Sequence, residues 1–131
     1  MDNSEHLSQY RLEQAEQCLS TAKLVLKAGD YKASANRSYY CVFNAMRSLL
    51  ALEDIDFKKH TSVINHFRKN YVKTNIFEKR LSDILEDLFE IRTSSDYDDY
   101  YVVSKNDIEE QITNAEYFLE QIKQYLAKPR L

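Results

Sequence analysis

Residues 31–53, YKASANRSYYCVFNAMRSLLALE, decide the fold of this chain. Large apolar side chains recur here at intervals of three and four residues, the spacing that places them on one side of an α-helix. These positions are Tyr39, Tyr40, Val42, Phe43, Met46, Leu49 and Leu50. The stretch therefore predicts a long helix, from about Tyr31 to Glu53, that packs against other helices.

Glycine and proline are almost absent from the rest of the sequence. Gly29 is the only glycine and Pro129 the only proline. A β-rich fold needs many tight turns, which these two residue types form at low cost. The composition therefore favours an all-α fold with few connections. The 131 residues have room for one hydrophobic core, so we expect residues 1–131 to form a single domain.

The same periodicity predicts four more helices, which span about Ser4 to Ala28, Thr61 to Val72, Ile76 to Ser94, and a last one that begins near Ser104. Gly29 is placed to end the first helix and Asp30 to cap the second. Ser104 and Asp107 resemble a capping box. The expected architecture is an up-and-down bundle of four long helices plus one short helix.

The charges are distributed unevenly, although the net charge is only −3. Basic residues dominate from Lys58 to Arg80, and acidic residues dominate from Asp83 to Glu120. Such a basic segment is either a solvated surface or a patch that meets phosphates or an acidic partner. The polar N-terminus predicts no signal peptide, and no apolar run predicts a membrane span. We therefore expect a cytoplasmic protein.

Most established chemical motifs are missing. There is no glycine-rich phosphate loop, and His60 and His66 are six residues apart, which does not place them on one side of a helix. Cys18 and Cys41 lack CxxC spacing and lie near apolar stripes, so buried structural thiols are the favoured interpretation over a disulfide or a metal site. The sequence thus predicts no metal and no cofactor.

Arg92 does not fit a simple core pattern. It lies four residues after Leu88 on the apolar stripe of the fourth helix, and Asp96 falls four residues further along. A guanidinium group there must be paired or must face solvent. Two interpretations stay open: a structural ion pair with Asp96, or an arginine that faces phosphate or RNA and is held by Asp96.

Polar residues also accompany the aromatic part of the second helix. Helical spacing places Arg37, Tyr40, Cys41 and Asn44 on one side, where they either anchor neighbouring groups or form a site. His60 stands at the start of the third helix, where a histidine is most often a cap or a packed surface residue.

Three stretches together resemble the HEPN (higher eukaryotes and prokaryotes nucleotide-binding) family. They are residues 36–45 (NRSYYCVFNA), residues 58–64 (KKHTSVI) and residues 92–97 (RTSSDY). The last is similar to the branch in which an arginine is followed, after three residues, by aspartate and tyrosine. The resemblance implies a helical bundle that commonly forms a homodimer. It also implies frequent pairing with a minimal nucleotidyltransferase in a toxin–antitoxin-like unit.

Active ribonucleases of the family have four to six residues between the arginine and a histidine. Arg92 matches that arginine, but the corresponding window, residues 97–99, contains Tyr97 and two aspartates instead. The resemblance therefore implies a module that binds a nucleotide, RNA or a partner protein, in which Arg92 contacts phosphate and Asp96 orients it. Arg37, Tyr40, His60 and Tyr97 would line the same site.

Two alternative functions remain. The first is a metal-independent endoribonuclease toxin that uses Arg92 at a dimer interface, with His60 or Tyr97 as the second group. The second is a purely structural interaction protein, in which these polar residues hold the bundle together.

Overall fold

The computed structural model describes residues 2–97 and 103–128, which form a bundle of helices. The helices are α1 (Asn3–Lys27), α2 (Tyr31–Leu52), α3 (His60–Phe67), α4 (Lys79–Tyr97) and α5 (Lys105–Ala127). A π-helical turn, Arg68–Val72, directly continues α3. These residues include no β-strand, and the predicted all-α bundle of four long helices and one short helix is confirmed.

Capping residues define where the helices begin. The Asp30 carboxylate accepts a hydrogen bond from the Ala33 amide, and the Ser104 hydroxyl accepts one from the Asp107 amide. Gly29 has φ of 83°, in the left-handed region that favours glycine. The predicted helix boundaries at Gly29, Asp30 and Ser104 are therefore confirmed.

Helix α2 lies at the centre of the bundle. It packs against α1, α3, α4 and α5, and much of its surface is buried, including the fully buried Tyr39, Cys41 and Val42. Cys18 and Cys41 are both free and buried, as the sequence predicted. None of the helices in the described part of the chain combines the length and apolar character that a membrane crossing requires.

The predicted third helix, Thr61–Val72, is only partly correct. Its last five residues form the π-helical turn, in which the Lys73 amide donates to the Arg68 carbonyl over 2.9 Å. A π-helical turn accommodates an extra residue and so rotates the side chains that follow. Here the Tyr71 hydroxyl donates to the Glu53 carboxylate over 2.7 Å, which ties this turn to the end of α2.

The fourth helix is displaced from its predicted position, Ile76–Ser94. It begins at Lys79, because residues 73–77 form turns and bends in which Asn75 has φ of 62° and the Phe77 amide donates to the Tyr71 carbonyl over 2.8 Å. It also continues to Tyr97, so Asp96 lies on the helix one turn after Arg92. Asp98 and Asp99, from the window in which the family histidine was sought, lie outside the described residues.

Phe67 joins α3 to the rest of the core. Its ring lies 5.4 Å from Phe118, 5.7 Å from Phe77 and 5.8 Å from Tyr71, measured between centroids, and its side chain is 2% exposed. We expect Phe67→Ala to lower the free energy of unfolding by about 3–5 kcal/mol, because it removes apolar contacts and leaves a cavity. Urea denaturation measures the change. Leu24→Ala, at a position that is 68% exposed, is the control and should cost far less.

Candidate functional site

Helices α2, α3 and α4 bring a group of aromatic and charged side chains together. Two residues come from the last turns of α4, one from the first turn of α3 and three from the middle of α2. This group, here called the Arg92 cluster, consists of Tyr39, Tyr40, Phe43, His60, Arg92 and Asp96.

Arg92 is held by one acid and two aromatic rings. Its Nε lies 3.0 Å from Asp96 Oδ2, in an ion pair rather than a directed hydrogen bond. Its guanidinium carbon lies 5.3 Å from the Tyr39 ring centroid and 5.6 Å from that of Tyr40. One Nη donates to the Tyr40 hydroxyl over 3.5 Å. Among the described residues, Asp96 is the only acid that pairs with Arg92.

The Tyr40 ring connects Arg92 with Arg37. The guanidinium carbon of Arg37 lies 5.1 Å from the Tyr40 centroid. Arg37 also donates twice to the side-chain oxygen of Asn36, over 2.7 and 3.1 Å, and contacts the Cys18 sulfur at 3.7 Å. Each nitrogen of the Arg37 guanidinium group thus already has one of these partners.

His60 packs directly against the aromatic side chains of α2. Its Nδ1 lies 3.1 Å from the Tyr39 hydroxyl. Its ring centroid lies 4.1 Å from that of Phe43, 5.7 Å from Tyr40 and 5.9 Å from Tyr39. No described residue forms a hydrogen bond with the other ring nitrogen. The imidazole is thus held through Nδ1.

The environment favours the uncharged imidazole. Burial lowers the pKa of His60 from its ordinary value of 6.5, and the positive charges of Arg92 and Arg47 lower it further. Burial also raises the pKa of Tyr39 to about 12, so its hydroxyl stays protonated at neutral pH. At neutral pH the Arg92 cluster therefore presents a charged guanidinium group near a neutral imidazole.

The structure brings together five of the six residues that the sequence singled out: Arg37, Tyr40, His60, Arg92 and Asp96. Tyr97 lies in α4, but its side chain is outside the described part of the molecule. Cys41, which helical spacing placed beside Tyr40, is fully buried, as expected of a structural thiol.

Three residues at or beside the Arg92 cluster were not identified as site residues from the sequence: Tyr39, Phe43 and Arg47. Tyr39 and Phe43 were assigned to the core, and they are indeed buried, but they also form the surface on which His60 and Arg92 rest. Arg47 lies over the Phe43 ring at 5.9 Å. Spacing of four residues along α2, from Tyr39 to Phe43 to Arg47, is the signal that could have revealed them.

The cluster has the chemistry of an anion site. Arginine forks bind phosphate oxygens through paired hydrogen bonds, and a neutral imidazole beside them can transfer protons. Within residues 2–97 and 103–128, no group of three or more His, Cys, Asp or Glu side chains is arranged to hold a metal ion.

The charge of Arg92 should be measurable at His60. We expect Arg92→Gln to raise the pKa of His60 toward its ordinary value, because the substitution removes one of the positive charges that disfavour the imidazolium. Titration of the imidazole resonances by NMR measures the pKa. Arg80→Gln removes an equal charge that lies over the Tyr117 ring and should leave the pKa unchanged. An unchanged pKa in both variants would contradict the proximity of Arg92 to His60.

Proteins of similar sequence and fold come from bacteria and archaea. A UPF0332 protein of Thermotoga maritima is 31% identical over 126 residues, which cover 96% of this chain and 96% of that protein. A protein of Methanocaldococcus jannaschii, named as a candidate toxin, is 29% identical over 88% of this chain and 78% of its own length. The crystal structure of an archaeal HEPN homologue superimposes with a TM-score of 0.70 at 23% identity, covering 91% of this chain and 97% of that chain.

The family comparison covers almost the whole bundle. The model of the HEPN domain matches residues 8–125, which extend from the first turns of α1 to the end of α5 and include every residue of the Arg92 cluster. The resemblance seen in three short stretches thus extends over the full helical architecture, and this chain belongs to the HEPN domain family.

Proposed function

We propose that this protein is a HEPN module that binds RNA through a phosphate group held by Arg92, within a cytoplasmic toxin–antitoxin-like pair. The observation that supports the proposal best is the setting of Arg92. Its Nε is paired with Asp96, its guanidinium plane is held by Tyr39 and Tyr40, and the far side of its fork has no acidic partner among the described residues. An arginine held in this way is preorganised for a phosphate.

The identity of the relatives supports the same proposal. The chain covers most of the length of two archaeal proteins named as candidate toxins. It also belongs to the HEPN family, and its resemblance to that family implied binding or cleavage of RNA. We further propose that the protein forms a homodimer and pairs with a minimal nucleotidyltransferase. Size-exclusion chromatography with light scattering measures the first association, and co-purification of the two proteins measures the second.

RNA binding should depend on Arg92. We expect the purified protein to bind a single-stranded RNA, and Arg92→Gln to weaken binding roughly tenfold or more, because a charge-assisted contact with phosphate is lost. Arg92→Lys keeps the charge without the planar fork and should recover only part of the affinity. Fluorescence anisotropy measures the dissociation constants.

Thermal denaturation of the same variants separates binding from a purely structural role. If the wild-type protein binds no RNA and Arg92→Gln sharply lowers the melting temperature, Arg92 serves mainly to stabilise the bundle. That outcome would contradict the proposed function and favour an interaction protein.

The position of His60 supports a second candidate function, a metal-independent endoribonuclease. The support for it is that His60 packs against Tyr39 and Tyr40, the two rings that also contact Arg92. A neutral imidazole can accept or donate a proton during cleavage while the arginine stabilises charge on the phosphate.

Cleavage of a mixed RNA in EDTA tests this candidate. A ribonuclease of this kind should lose about 10²- to 10⁴-fold of its rate in His60→Asn, because that side chain can replace the hydrogen bond to Tyr39 but cannot transfer a proton. His60→Asn should still bind RNA. If neither the wild-type protein nor the variant cuts RNA and both bind it, the ribonuclease candidate fails and the binding module remains.

A further inference from the structure

A second guanidinium group lies near His60, further along α2 than the rings that contact Arg92. Arg47 is four residues after Phe43 and eight after Tyr39, so the three side chains follow one stripe of the helix. The guanidinium carbon of Arg47 is 5.9 Å from the Phe43 centroid, and that of Arg92 is 5.3 Å from the Tyr39 centroid. His60 contacts both rings. Arg92, His60 and Arg47 therefore lie in this order beside the stripe of α2 that runs from Tyr39 to Phe43.

Both positive charges act on the imidazole. Arg92 and Arg47 each lower the pKa of His60, after the larger effect of burial. Each guanidinium group has one acidic neighbour among the described residues, Asp96 for Arg92 and Asp56 for Arg47. The two arginines thus flank a neutral imidazole with positive charge.

The ion pair of Arg47 is weaker than that of Arg92. Arg47 Nη2 lies 3.7 Å from Asp56 Oδ1, and the Asp56 side chain is 60% exposed. Asp56 is also shared with Arg11, at 3.9 Å. Exposed pairs at such distances contribute little to stability. A phosphate group can therefore compete with Asp56 for Arg47.

We propose that Arg92 and Arg47 bind two consecutive phosphates of one single-stranded RNA. The ribose that joins these phosphates then faces His60. This inference rests on the proposed function, because it extends the phosphate site at Arg92 to a strand. An RNA strand carries one negative charge on each phosphate, and the two guanidinium groups present two positive charges side by side along α2. Each guanidinium group can bind a phosphate through two hydrogen bonds.

Two substitutions in the Arg47–Asp56 pair should have opposite effects on RNA binding. We expect Arg47→Gln to weaken binding roughly tenfold and to reduce the slope of log K against log salt by about 0.7, the loss of one phosphate contact to a single strand. Asp56→Asn should tighten binding, because it removes the carboxylate that competes with phosphate. The probe is a 2′-O-methyl RNA, which cannot be cut by attack of the 2′ oxygen, and anisotropy over a salt series gives both quantities.

Arg80→Gln is the matched control, since it removes the same charge from a residue that lies over Tyr117. It should change neither the affinity nor the salt dependence. If Arg47 serves only to hold Asp56, Arg47→Gln and Asp56→Asn will change the affinity for RNA in the same direction or leave it unchanged. Either result would show that the inference is wrong. If Arg92→Gln still weakened binding in that case, the proposed function would stand. Failure of the wild-type protein to bind the probe would overturn both.

Discussion

The hydroxyl group of Tyr39 lies inside the protein, where it needs a hydrogen-bond partner, and His60 supplies one at 3.1 Å. Because Tyr39 is fully buried in α2, this contact determines where α3 begins relative to the centre of the bundle. The Tyr39 ring also lies below the guanidinium group of Arg92. One buried side chain thus fixes the relative positions of the imidazole and the arginine, which come from different helices.

Arg92 illustrates how a charge is accommodated at the edge of a core. Its side chain is only 17% exposed, so it has lost much of its hydration. Asp96 and the faces of two tyrosine rings replace part of that hydration, since rings attract cations electrostatically. Because solvent is partly excluded, an anion that approached this guanidinium group would interact with it more strongly than with a fully exposed arginine.

The sequence was sufficient to predict that these helices form, because each is specified by signals that are local in the sequence. Periodic apolar side chains, Gly29 and the caps at Asp30 and Ser104 each act within a few residues. The π-helical turn and the start of α4 were missed for the opposite reason. The π-helical turn contains the Tyr71–Glu53 hydrogen bond, and the turn before α4 contains the left-handed backbone of Asn75; neither feature has a periodic signature.

The same distinction applies to the site. The ion pair of Arg92 with Asp96 follows from spacing along one helix and was anticipated as one of two interpretations. The approach of His60 to Tyr39 was not predictable, because it joins residues 21 positions apart through tertiary packing. Arg47 was missed because a cation beside a core stripe looks like an ordinary solvated residue until its ring partner, Phe43, is located.

The contact between Tyr39 and His60 has a consequence for the tautomers of the imidazole. A hydroxyl group can donate or accept, so it is compatible with a proton on either ring nitrogen. When Nδ1 carries the proton and donates to Tyr39, Nε2 has a lone pair. When the hydroxyl donates to Nδ1, Nε2 carries the proton. Rotation of the hydroxyl hydrogen therefore accommodates either tautomer. When the ring loses the proton from one nitrogen to solvent and gains one at the other, the same fixed ring changes between an acceptor and a donor at Nε2 without any movement of the helices.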